Sequence, residues 1–223
     1  ALGLRDWPGP LGDSAAQTLQ ARFDQAKRAG RVAQALRPAG YDAEVVYLLT
    51  LLQNLGRLVT AYHFPDETQQ ILRLMQPSPP LRAGDPEQAG MSEQGASQAV
   101  LGTDIEGIGA AVARHWGLDD TVLHLIRRMP LATQPRTVDN DDDMLRAVAS
   151  CANEAIDAIE LPSARRAQAL RRVAQRYARA LSISFNDLQD ALKASRSATS
   201  RKTVEPQDRA RTQAEFRAQD TLA

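Results

Sequence analysis

Aromatic residues are scarce in this chain: they make up 4% of its 223 residues. A core without large rings must be filled by Leu, Val, Ile and Ala. That favours packed helices over the β-branched and aromatic faces of a β-sandwich. Cysteine is nearly absent. The lone Cys151 excludes an internal disulfide framework and fits a reducing compartment, so a cytoplasmic location is expected. No apolar run is long enough to span a bilayer and no signal-peptide pattern is visible, so no membrane association is expected. An excess of either charge is also missing. Lys+Arg and Asp+Glu are 27 each, giving a net charge of +0, and no strong basic patch marks the chain as a nucleic-acid binder. The first residue is Ala1 rather than Met, from which an N-terminal truncation is expected.

Apolar residues make up 43% of the chain and charged residues 24%, ordinary values for a globular domain. The pattern along the chain is helical. Asp13 or Ser14 can cap a first helix whose stripe is Leu19, Phe23, Ala26, Gly30 and Ala33, with Pro38 as its stop. Asp42 opens a second, which the leucine-rich run through Leu58 and Val59 carries to Pro65 as one helix. It is apolar on nearly all sides and therefore expected at the centre of a bundle. A short helix around Ile71–Met75 follows. Residues 76–90, rich in Pro and Gly, read as a mobile loop. Further helices run from Ser92 to the stop at Gly102, from a Thr103/Glu106 capping box to Trp116 and Gly117, and from the cap Asp119 to before Pro130. The acidic cluster at 139–143 reads as a solvated helix start, followed by the stripe Leu145, Val148, Ala152, Ile156 and Ile159. Pro162 and Ser163 open another helix, and Ser184 with Asp187 caps a last one. Residues 194–223 lack apolar anchors and read as a disordered tail. The expected architecture is all-α, a multi-helix bundle around the central apolar helix, in one domain over residues 1–193.

The segment Leu51-Leu52-Gln53-Asn54-Leu55-Gly56-Arg57-Leu58 resembles the central-helix signature of HD proteins, in which a His-Asp pair stands where Gln53-Asn54 stands here. The continuation Tyr62-His63-Phe64-Pro65 resembles the HDOD branch. So do Leu101-Gly102-Thr103-Asp104-Ile105-Glu106, Gly109-Ala110-Ala111-Val112 and His115-Trp116-Gly117-Leu118. The resemblance spans roughly residues 20–160 in order and spacing. The Gln-Asn variant is also similar to regions carried by bacterial serine/threonine protein kinases.

The resemblance implies an HD-like fold and identifies the positions of a vestigial metal site. HD enzymes bind a divalent cation through the His-Asp pair, a further His and a distal Asp, and the cation activates water for attack on a phosphoester. The corresponding positions here are Gln53, Asn54, Ile105 and Asn153. Amides are weak, neutral ligands and Ile105 offers no donor atom. No metal and no cofactor are therefore expected, and the chain is read as a non-enzyme. Arg57, His63, His115 and Trp116 remain as candidate ligand or interaction residues. His63, His115 and His124 are spaced so that no two stack on one helix face. A buried, inert Cys151 is the simpler reading of the thiol.

The expectation is thus a signalling or regulatory output domain acting through protein–protein contact, with a fused serine/threonine kinase domain as one candidate partner. Two alternatives stay open: an HD-type phosphohydrolase with unusual ligands, and a nucleotide-sensing module using the vestigial pocket.

Overall fold

The computed structural model describes residues 12–78, 88–131, 135, 138 and 140–196. Among these residues the architecture is all-α, the only strand-like feature being an isolated bridge between Ser78 and Gln88. The helices are α1 (Asp13–Leu36), α2 (Ala43–Leu52), α3 (Leu55–His63), α4 (Pro65–Met75), α5 (Glu93–Leu101), α6 (Ile105–His115), α7 (Asp120–Leu125), α8 (Asp141–Ile159) and α9 (Ser163–Leu181). Residues 185–196 form a further helix, α10.

The main core joins α1, α8, α9 and α10. α8 lies in its middle, and its alanine-rich faces (Ala147, Ala152, Ala155 and Ala158) let α1, α2 and α9 pack closely on it. Tyr177 and Ile156 are the largest side chains wholly enclosed there. A second cluster couples Leu49 and Leu55 to Ala113, Leu123, Leu125 and Ile126. A third holds Ile71, Ala96 and Ile105 together.

Local chemistry explains most helix ends. Asp42 accepts from the backbone N–H groups of Glu44 and Val45, and Ser92 from that of Gly95. Asp119 accepts from Val122 N–H. Gly102 and Gly117 take left-handed φ values of 70° and 81°. At Gly117 the N–H donates to the Arg114 carbonyl, and the N–H of Leu118 to the Ala113 carbonyl. That is the double bond pattern by which a glycine ends a helix and turns the next residue inward. Leu118 accordingly packs on the second cluster. Ser184 and Asp187 cap each other reciprocally at the start of α10.

Four expectations change. Neither Asp13 nor Ser14 caps α1: its N-cap is Gly12 and no side chain caps the first turn. The leucine-rich run is two helices, broken at Gln53-Asn54. It is also not enclosed on all sides: Val45 and Leu48 of α2 are 44% and 54% exposed. The cap of α6 is Asp104, which accepts from Gly107 N–H, rather than Thr103; a carboxylate one residue closer to the first turn serves that donor directly. In the expected mobile loop at 76–90, residues 79–87 lie outside the described residues. In the expected tail, residues 194–196 complete α10 and the rest lies outside them.

Candidate functional site

The break between α2 and α3 builds the site. Asn54 N–H bonds the Leu51 carbonyl, three residues back, instead of that of Thr50. The Thr50 carbonyl is thereby freed and accepts two side-chain amides: Nδ2 of Asn54 at 2.9 Å and Nδ2 of Asn153 at 3.3 Å. Ser150, Asn153 and Asp157 come from one face of α8, at the three- and four-residue spacing that aligns side chains along a helix.

The three amides close on one another. Asn54 Nδ2 donates to Asn153 Oδ1 at 2.7 Å, and Asn153 Nδ2 donates to Gln53 Oε1 at 3.1 Å. Gln53 Nε2 donates to the Leu125 carbonyl at 3.1 Å and to Ser150 Oγ at 3.3 Å. Ser150 Oγ also accepts from Met129 N–H, which ties the segment after α7 to α8. Each primary amide has two N–H donors, and all of those on Gln53, Asn54 and Asn153 are used. The three residues are 6%, 6% and 2% exposed, a depth at which unpaired amides would be costly.

A charged clasp adjoins the amides. Arg57, one turn after Asn54, is bidentate to Glu93 of α5 and bidentate to Asp157 of α8. Arg128 donates to Asp157 at 2.7 Å and to Asn54 Oδ1 at 2.6 Å. Four chain segments meet at these side chains. Burial pushes the Asp157 carboxyl up, but the Arg57 and Arg128 guanidiniums outweigh that and hold it well below the usual carboxylate range. Burial works against the Arg57 charge as well, and Asp157 and Glu93 more than restore it.

Ile105 sits at the same junction without joining the amides. Its carbonyl lies where a Cβ on Gly56 would be, at 1.9 Å, and Gly109 faces the backbone of Gly56 from the same helix. Glycines at 56 and 109 are what allow α3 and α6 to touch. The Ile105 side chain turns into the apolar cluster with Ile71 and Ala96.

The structure thus brings together Gln53, Asn54, Asn153 and Arg57. It does not bring His63, His115 or Trp116 to them. His63 ends α3, exposed, with its ring edge-on to Tyr62 at 4.8 Å. His115 and Trp116 lie at the far end of α6 from Ile105, and Trp116 is 60% exposed. Cys151 is fully buried, and burial raises its thiol pKa far beyond the reactive range. Asp157, Glu93, Arg128 and Ser150 were not singled out from sequence. The available signal was a carboxylate and a serine in register with Asn153 on an otherwise apolar helix face.

The profile of the HDOD domain matches residues 12–130. The chain belongs to the HDOD family. HDOD domains are degenerate relatives of the HD superfamily, whose enzymes use a metal, and the residues here do not fit one. Every amide oxygen at the pair position accepts an N–H. The nearest carboxylates, Asp157 and Glu93, are bonded to guanidiniums. Among the described residues no group of three or more His, Cys, Asp or Glu side chains is placed to hold a cation. No curated protein and no solved structure matches the chain. Among the described residues no helix is long and apolar enough to cross a membrane.

Proposed function

We propose that this HDOD domain is a non-catalytic regulatory module that works through contact with other proteins in the cytoplasm. Gln53, Asn54, Ile105 and Asn153 are, on this reading, the vestige of an HD metal site. The observation that carries it is the closed amide cluster. A hydrolytic centre needs anionic or imidazole ligands with free lone pairs and an open coordination position for water. Here the pair position presents neutral amides whose hydrogen-bonding capacity is already taken up by neighbours. The guanidiniums of Arg57 and Arg128 supply the positive charge that joins the surrounding helices.

A protein kinase, fused or separate, is the partner class suggested by the Gln-Asn resemblance. The lone buried thiol agrees with a reducing compartment.

The test is hydrolysis of bis(p-nitrophenyl) phosphate by the purified chain with added Mn²⁺ or Fe²⁺. The expected rate is that of buffer. Turnover that scales with both protein and metal would overturn the proposal in favour of an HD-type phosphohydrolase.

A further inference from the structure

The zero net charge conceals a local separation. α9 carries Arg165, Arg166, Arg171, Arg172, Arg176 and Arg179 and no carboxylate. Arg176 is turned inward, donating to the carbonyls of Met129 and Pro130 and lying beside Glu154. Arg166 donates to the Leu161 carbonyl. Arg172 and Arg179 are exposed and seven residues apart, so they stand about 10 Å apart on nearly the same face. The carboxylates packed nearby are engaged elsewhere: Asp187 with Ser184, Asp190 with Lys193 and Glu154 with Tyr177.

Beside this arginine row lies a groove of about 300 Å³, lined by Arg171, Ala174, Ala178, Ile183 and Phe185. Its shape follows from Ser182, whose left-handed φ of 53° reverses the chain and sets α10 beside α9. The floor is apolar, and the Arg171 guanidinium stands 5.9 Å above the Phe185 ring. Both row and groove lie beyond the stretch matched by the HDOD profile.

We propose that the groove between α9 and α10 docks an acidic peptide segment of a partner protein. One apolar side chain of the segment enters between Ala178, Ile183 and Phe185, and flanking carboxylates pair with Arg171, Arg172 and Arg179. This deepens the reading of the domain as a protein-binding module and rests on it. A peptide suits the surface better than a nucleic acid does. An apolar recess matches an aliphatic anchor, not a sugar-phosphate chain. Phe185 is the one aromatic ring lining the groove, and a single ring is no platform on which successive bases could stack.

The experiment is fluorescence anisotropy on the full chain. The probes are a labelled Glu-rich peptide with a central Leu, the same peptide with Ser at that place, and a duplex DNA. The Leu peptide is expected to bind, to weaken as salt rises, and to lose about tenfold or more in affinity to an Arg172→Glu/Arg179→Glu variant. The Ser peptide is expected to bind about fivefold more weakly, the effect of one apolar anchor. Ala178→Phe, which fills the groove and keeps the charges, should abolish the advantage of Leu over Ser at an unchanged melting temperature. Absence of binding by the Leu peptide, equal affinity of the two peptides, indifference to the charge reversal, or tighter binding of DNA would each overturn the proposal. Failure here in a protein that hydrolyses no phosphodiester removes this groove alone. Metal-dependent hydrolysis by the same preparation removes the protein-binding reading instead.

Discussion

Asn54 at the start of α3 and Asn153 in the middle of α8 are joined side chain to side chain at 2.7 Å, and both also donate to the carbonyl of Thr50. On the proposed reading, the bond crosses the vestige of an HD metal site. Asn153→Ala removes a donor pair and an acceptor at once, leaving Asn54 Nδ2 and Gln53 Oε1 short of partners. The expected loss is about 1–3 kcal/mol, measured as a shift in urea midpoint at unchanged slope. An unaltered midpoint would show that water replaces the amide freely.

The Asp157 clasp has a defined pH dependence. Its carboxyl is held below the ordinary range by Arg57 and Arg128, against the opposing effect of burial. A depressed carboxylate contributes fully above its unfolded pKa, about 4, and loses that contribution as pH falls below it. Asp157→Asn should therefore destabilise at neutral pH, and the difference from wild type should shrink on acidification below about pH 4. The neutral-pH cost is set at roughly 1–3 kcal/mol, below that of a fully enclosed pair, because the side chain keeps 39% of its surface accessible. Denaturant titrations of both proteins across the acid range measure it, and a pH-independent difference would refute the assignment.

Gly56 and Gly117 should respond to substitution for different reasons. A Cβ at Gly56 meets the Ile105 carbonyl at 1.9 Å, so Gly56→Ala must push α3 from α6 and should cost about 3 kcal/mol. At Gly117 there is open space, but φ is 81°. Gly117→Val is expected to cost about 1 kcal/mol or more through backbone strain alone. Thermal melts of the two variants rank these costs, and an unchanged melting temperature in either contradicts its contact or its turn.

Much of this was legible in the sequence because it is local. Caps such as Asp42, Ser92 and Asp119 act within three residues, and Gly117 ends its helix by its own conformational freedom. The break at Gln53-Asn54 was not legible. Leucines continue across it with helical spacing, and the amides that stabilise the kink are completed by Asn153, about a hundred positions away. The Arg57–Asp157 pair is equally distant in sequence. Local pattern also missed that Val45 and Leu48 face outward, since an apolar side chain does not reveal which neighbours reach it. The family resemblance pointed to Gln53, Asn54 and Asn153; that their side chains touch is a finding of the structure. The carboxylates and guanidiniums around them emerged only in three dimensions.

Restoring the family's ligand pair should not restore tight metal binding. In Gln53→His/Asn54→Asp, the new carboxylate meets Arg128, which already lies 2.6 Å from Asn54 Oδ1. It is thus paired with a guanidinium rather than offered to a cation. It also loses the donors that served Thr50 and Asn153, so the double variant should be less stable by about 1–3 kcal/mol.

If the amide cluster stands in place of a metal, as proposed, calorimetric titration of the wild-type chain with Mn²⁺, run beside the double variant, will show it. No stoichiometric heat of binding is expected for the wild type and only weak binding for the variant. One tightly bound equivalent in the wild type would contradict it.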